Sequence, residues 1–231
     1  MNMKKMMMLV VAVVVACGSV VQPAGRGKSA APFSEARMVL PGSPCVAAPV
    51  KVKLLHESST LALFSGETAE DTAFNEAHKM EWNFRGHNSL FLRRRRADGT
   101  DEWWLLLTTG TKWRAADGMD RWDSSQAAEV KEHFEIRKAS FALDRRHLWL
   151  VCNTHTSLYS VVCSYDAQDN VLNVLIDGDT ADEQSDGTIL VTGKKVYLQD
   201  ENGEPDGAGL CDVWITPDGK IVRKSKPVKL M

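Results

Sequence analysis

From residue 51 onward the chain alternates short apolar runs with polar turns. Runs at 148–151, 158–162, 171–176, 189–191, 196–198 and 213–215 are each of strand length and rich in β-branched or aromatic residues. Asp-Gly occurs at 98–99, 117–118, 177–178, 186–187, 206–207 and 218–219, and Asn-Gly at 202–203. Glycine accepts a positive φ without steric cost, which tight hairpin turns demand. The clearest hairpin is predicted where Pro217-Asp218-Gly219 separates Trp214-Ile215 from Ile221-Val222.

Two kinds of strand are visible. Leu172, Val174 and Ile176 alternate with Asn173 and Asp177, as a half-covered strand does. Leu148-Trp149-Leu150-Val151 is apolar on both sides and must be covered on both. The pattern predicts a mainly β domain: an antiparallel meander of short strands arranged as a sandwich or a barrel-like layered sheet. Asp-Gly-Thr at 98–100 and again at 186–188 raises the alternative of propeller-like blades. One or two short helices interrupt the strands. Ala69, Ala73, Ala77 and Met80 recur at helical spacing within 67–80, and Ser124 or Ser125 is placed to cap a second helix ending near His133.

The N-terminus has a different grammar. Residues 1–5 carry Lys4 and Lys5, and residues 6–16 form an uninterrupted apolar run of eleven. A membrane-spanning helix needs about 20 such residues, so 1–16 reads as a signal peptide. Val14-Val15-Ala16-Cys17 resembles the lipobox of bacterial lipoproteins, with Val14 where that family usually has Leu. The resemblance covers the leader alone. It implies that Cys17 becomes a lipid-modified N-terminus, anchoring the protein to a membrane of the bacterial cell envelope. Cleavage before Ser19 is the alternative and would leave a secreted or periplasmic soluble protein. Residues 17–50 read as a tether, with Pro23, Pro32, Pro41, Pro44 and Pro49 among Gly, Ala and Ser. Residues 51–231 form a single β-rich domain.

Charge excludes one class of partner. Formal charge is -2; removing Lys4 and Lys5 with the leader leaves 26 basic and 30 acidic residues, or -4. A nucleic-acid binder would gather a basic excess on one face.

With Cys17 as lipid site, Cys45, Cys152, Cys163 and Cys211 remain. In an oxidising compartment an even set suggests two disulfides with three pairings; the alternative is buried thiols. A hairpin turning at 153–157 would set Cys152 opposite Leu158 and Cys163 opposite His147, separating the two sulfurs by roughly 16 Å. Disulfides need Cα atoms within about 7 Å, so that register disfavours a Cys152–Cys163 bond.

Catalytic and metal motifs are weak. The histidines lack the His-x-x-x-His spacing of a helical metal site, and no Gly-x-Ser-x-Gly elbow is present. His155 sits in a predicted polar loop beside Asn153, Thr154 and Thr156. Asp177, Asp179 and Asp182 form an acidic loop with oxygen ligands suited to calcium, but Ala181, Asp182 and Thr188 occupy positions where an EF-hand needs a ligand, Gly and Glu. Solvated turns are the simpler reading, and no cofactor is implied. Arg93 to Arg96 form a basic run that would block edge pairing if its strand lay at a sheet edge. Trp103, Trp104, Trp113, Arg114, Arg121 and Trp122 cluster around 109–123 and are predicted to form a contact surface, with core anchoring of some tryptophans as the alternative.

These features predict a non-enzymatic envelope binding or interaction module with a protein or glycan ligand. A secreted hydrolase acting on glycans or peptides and a structural envelope component are the alternatives. Replacing Cys17 by Ser is expected to abolish incorporation of labelled fatty acid in growing cells; a variant that still takes up label would refute the lipid-site reading.

Overall fold

A computed structural model describes residues 49–80, 88–107, 111–116, 134–144, 146–154 and 160–230. These belong to one compact unit, Pro32–Met231. Three sheets account for most of it. The first is a meander of β1 (Val50–Glu57), β2 (Leu61–Glu67), β3 (Ser89–Arg95) and β4 (Asp101–Leu105), antiparallel throughout. The second contains β5 (Lys112–Ala115), β6 (Phe134–Phe141), β7 (His147–Thr154), β8 (Ser160–Asp166) and β9 (Val171–Asp177) in the order β5-β9-β8-β7-β6. Only β5 runs parallel to its neighbour, β9. The third orders β10 (Thr180–Glu183), β11 (Ile189–Gln199), β12 (Pro205–Ile215) and β13 (Ile221–Lys224), with β14 (Val228–Lys229) also on β12.

The alternation of side chains makes this a stack. Leu148, Leu150 and Cys152 of β7 pack in one core with Leu61, Leu63, Leu90 and Leu92 of the first sheet. Trp149 and Val151, on the opposite face of β7, pack with Ile189, Val191, Val213 and Ile215 of the third. The second sheet is therefore the middle layer, covered on both faces as the run 148–151 requires. Fully burying each such aliphatic side chain contributes about 1.5–3 kcal/mol. The Trp149 indole N–H donates to Glu183 Oε2 of β10 (2.9 Å), so the polar edge of a core tryptophan also ties the layers together. The domain is thus a mainly β, layered sandwich. Among the described residues no sheet closes into a barrel. The first and third sheets lie on opposite faces of the second, which makes a stack and not the ring of a propeller.

The expected helix at 67–80 is found as α1 (Ala69–His78). Thr68 and Asp71 form a reciprocal capping box, and Ser89 Oγ donates to the buried Asp71 carboxylate at 2.7 Å. One acid thus caps the helix and pins it to β3. The second predicted helix, 124–133, lies outside the described residues, as do Cys17 and the tether up to residue 48. Among the described residues no helix is long and apolar enough to cross a membrane.

Both Asp-Gly-Thr phrases build the same turn. Asp98 Oδ1 accepts from the backbone N–H (2.9 Å) and hydroxyl (2.6 Å) of Thr100, and Asp186 Oδ1 does the same for Thr188 at 3.0 and 2.7 Å. Gly99 and Gly187 have φ of 83° and 82°. Asp177-Gly178 is different: it joins β9 to β10 between layers. A Cβ at Gly178 would lie 2.2 Å from Val191 Cγ1 and 3.1 Å from the Thr192 carbonyl.

Two sequence expectations change. Arg93, Arg94 and Arg95 are on an inner strand, since β3 lies between β2 and β4. The run is paired with three carboxylates: Arg93 with Glu57 (2.8 Å), Arg95 with Asp101 (3.1 Å), and Arg94 (2.6 Å) and Arg96 sharing Glu102. The β7–β8 register is also three residues away from the one expected. Cys152 faces Val161 and Cys163 faces Leu150, because β7 runs on to Thr154 and β8 begins only at Ser160. Cys152 and Cys163 are therefore diagonal neighbours, in hydrogen-bonding reach of each other, both as buried free thiols. Cys211 is a buried thiol in the other core, and Cys45 lies outside the described residues.

Gly178→Ala is expected to destabilise the domain by about 1–3 kcal/mol through overpacking between layers. A lowered urea midpoint with unchanged slope is the expected result; an unchanged midpoint would contradict the packing described.

Candidate functional site

The third sheet does not cover the whole of the middle one. Where it stops, polar side chains replace apolar ones on the same face. Arg114 of β5 pairs in register with Asn173 of β9, Asn173 with Ser164 of β8, and Ser164 with Trp149 of β7. Two residues along, the neighbouring row is Lys112, Val171, Asp166 and His147. The turn after β12 forms the wall. Gly219 approaches so closely that a Cβ there would lie 3.3 Å from both Ala116 Cβ and the Leu175 carbonyl. The result is a cleft of about 410 Å³ lined by Arg114, Ala115, His147, Ser164, Asn173 and Leu175, with Pro217 and Asp218 at its rim.

Its polar groups are held in place by neighbours. Asn173 Nδ2 donates to Ser164 Oγ at 3.4 Å. The His147 ring is clasped by carboxylates: Nδ1 meets Asp144 Oδ2, and Nε2 lies 3.5 Å from Asp166 Oδ2. Asp144 also accepts from the backbone N–H of Arg146 and His147, both at 2.9 Å. Arg146 Nε donates to Asp166 Oδ2 at 2.7 Å, and its Nη2 reaches Asp169 at 2.6 Å. Arg114 is exposed and, among the described residues, pairs with no carboxylate.

Burial alone would push the Asp166 carboxyl above its ordinary value. The Arg146 guanidinium and the backbone N–H groups of Asp169 and Gln168 outweigh it and hold the group below 3.8. Asp144 is also lowered, against a burial penalty, by backbone N–H donation from His147 and Arg146 and by the His147 ring.

No family model, curated protein or solved structure matches the chain.

Of the predicted contact surface, Arg114 alone lines this cleft. Trp104 and Trp113 are 3% and 8% exposed and belong to the core between the first and middle sheets. Trp103 points from the other face of β4 and packs on Phe64, ring centroids 5.2 Å apart. Trp104 and Trp113 thus take the core-anchoring alternative, while Trp103 is half-buried on the outer face of the first sheet. Arg121, Trp122 and His155 lie outside the described residues. The acidic residues diverge: Asp177 and Asp179 line one cavity with Lys195, and Asp182 lines another with Lys138 and Trp149. Among the described residues no three His, Cys, Asp or Glu side chains are grouped to hold a metal ion. Sequence reasoning missed Ser164, Asn173 and His147. Their signal was a polar residue interrupting a run whose other members face a core.

The sign of the Asp166 shift sets a pH dependence. A carboxyl depressed on folding stabilises the fold above its unfolded value and loses that contribution as pH falls through the lower folded value. Parent stability is expected to drop below pH 3.8, the ordinary value. Asp166→Asn should lower stability at pH 7 by about 1–3 kcal/mol and flatten this acid limb. An equally steep limb in the variant would assign it to other carboxyls.

Proposed function

We propose that this chain is an exported envelope lipoprotein, tethered through Cys17 and the 17–50 segment, whose β domain binds a glycan without transforming it. One observation carries the binding assignment: Arg114, Asn173 and Ser164 stand in a single row across three strands, opening into one cleft. An amide and a hydroxyl side by side suit vicinal sugar hydroxyls, since each both donates and accepts. The Arg114 guanidinium suits a carboxylate. Leu175, Ala115 and Pro217 provide apolar contact for the C–H faces of a sugar ring. A cleft of about 410 Å³ is of the size used for small ligands, whereas a protein partner would need a broader surface. The leader and tether support placing this cleft outside the cytoplasm.

Binding is favoured over hydrolysis by the company His147 keeps. Both ring nitrogens face carboxylates, and Ser164 Oγ accepts from the Asn173 amide. The Ser–His hydrogen bond that would activate a nucleophile is not made.

Calorimetric titration with an oligosaccharide of uronic acids, and with its neutral counterpart, tests the assignment. Arg114→Gln is expected to weaken the acidic ligand by about 10- to 100-fold, the worth of one charge-assisted hydrogen bond, and to leave the neutral one little changed. Asn173→Ala should weaken both. Equal affinities in parent and variants, or no heat with either sugar, would overturn the glycan reading.

A further inference from the structure

Among the described residues, Cys152 and Cys163 stand out as a pair of neighbouring thiols the cleft does not use. They project from adjacent strands toward the same core, on the face of the middle sheet opposite the cleft. Cys152 faces Val161 and Cys163 faces Leu150, so each cysteine is displaced by two residues from the other's cross-strand partner. Diagonal neighbours on an antiparallel pair have Cα atoms about 7–8 Å apart, with Cβ atoms closer, and a disulfide tolerates up to about 7 Å. Closing the bond therefore needs a local adjustment of about an ångström. The strands have a place to make it. A bulge lies between Val162 and Cys163 in the pairing of β8 with β9, and bulges sharpen local twist. Pairings with Cys211 do not have this option, because Cys211 faces the core on the other side of the middle sheet.

We propose that Cys152 and Cys163, free thiols in the structure described, join in a disulfide when the chain folds under oxidising conditions. The inference rests on strand register and core assignment and goes beyond the glycan-binding reading. Two thiols lose two protons and two electrons, and one S–S bond forms. The electrons pass to a small-molecule or protein disulfide, which is reduced to two thiols. Both cysteines are 0% exposed, and burial pushes the Cys163 thiol pKa up, so the folded thiols are poor nucleophiles. Oxidation therefore belongs to folding. The β7–β8 hairpin is local in sequence and forms within microseconds, whereas a disulfide takes seconds to hours, so the hairpin brings the two thiols together repeatedly in chains the first sheet has not yet closed over, and exchange traps the pair there. Once the layers stack, the bond is sealed from solvent.

The test is refolding of the purified, denatured and reduced protein in a buffer of oxidised and reduced glutathione. The product is denatured in iodoacetamide without reductant, and its cysteine peptides are identified by mass spectrometry. The expected product is two hydrogens lighter, with Cys152 linked to Cys163 and Cys211 alkylated. Incubating the folded product with a thiol reductant should leave the link intact until denaturant is added. Alkylation of both Cys152 and Cys163, or a link from either to Cys45 or Cys211, would overturn the proposal. Because the thiols are oxidised in the test tube, the outcome stands apart from where the protein resides and from what its cleft binds.

Discussion

Everything in this domain depends on a sheet that is buried from both sides. A half-covered strand needs apolar residues at every second position; β7 to β9 need them at nearly every position. Leu148, Leu150, Cys163 and Leu172 supply one core, and Trp149, Val151, Val162 and Ile176 the other. Two consequences follow. Backbone hydrogen bonds in the middle layer are shielded from water, so its ladders pair almost throughout, broken only by irregularities at Ile136/Lys138 and Val162/Cys163 among the described residues. And no layer is independent, because removing either outer sheet would expose a continuous apolar face. The Tyr165 hydroxyl donates to the Leu106 carbonyl at 2.6 Å, bridging the middle sheet to the segment after β4. Burial drives that hydroxyl strongly toward its neutral form, in which it can donate.

The cleft exists because the third sheet leaves part of the middle sheet's face uncovered beside the turn after β12. Beyond the apolar contact with β10 to β13, the same face of the same strands turns polar, and its residues change character within a single strand, buried though Ser164 and Asp166 are. Val162 is core, Ser164 lines the cleft and Asp166 binds Arg146, at successive same-face positions of β8. A binding surface built this way inherits the rigidity of the sheet. Its donors are spaced by strand geometry, about 4.8 Å from one strand to the next. Little conformational entropy is then lost when a ligand engages them, which is how a small polar cleft reaches useful affinity.

How legible was this in the sequence? Local chemistry was. The two Asp-Gly-Thr turns, the capped helix after Thr68 and the double-faced strand at 148–151 are each decided by residues within a few positions. Non-local pairing was not. The parallel contact of β5 with β9 joins Arg114 to Asn173 across 59 positions, and no periodicity encodes such a partner. The β7–β8 register failed for a related reason. Loop length sets it, and the apolar run at 158–162 concealed that pairing begins at Ser160. The tryptophans misled because size and amphipathicity suit both a core and a contact surface. Trp104 lies inward on β4 and Trp103 outward, a one-residue difference that only the pleat decides. Asp177, Asp179 and Asp182 were adjacent in sequence but diverge for the same reason.

The cleft and the cysteine pair are connected through β8. Cys163 and Ser164 are consecutive, so they point to opposite faces of one strand. A covalent link between Cys152 and Cys163 would fix the separation of β7 and β8 from beneath, at the level where Ser164 and Trp149 pair above. Ser164 also pairs with Asn173, so the constraint extends across the row toward Arg114. The bulge beside Cys163 marks the one place where β8 and β9 can slip. A cross-link beside that bulge would remove the freedom from the strand that carries the hydroxyl. Unlike a loop-borne site, which is rigidified only when its ligand binds, this one would be rigid beforehand. Its hydrogen-bond geometry would then be set by a bond formed on the hidden face of the sheet.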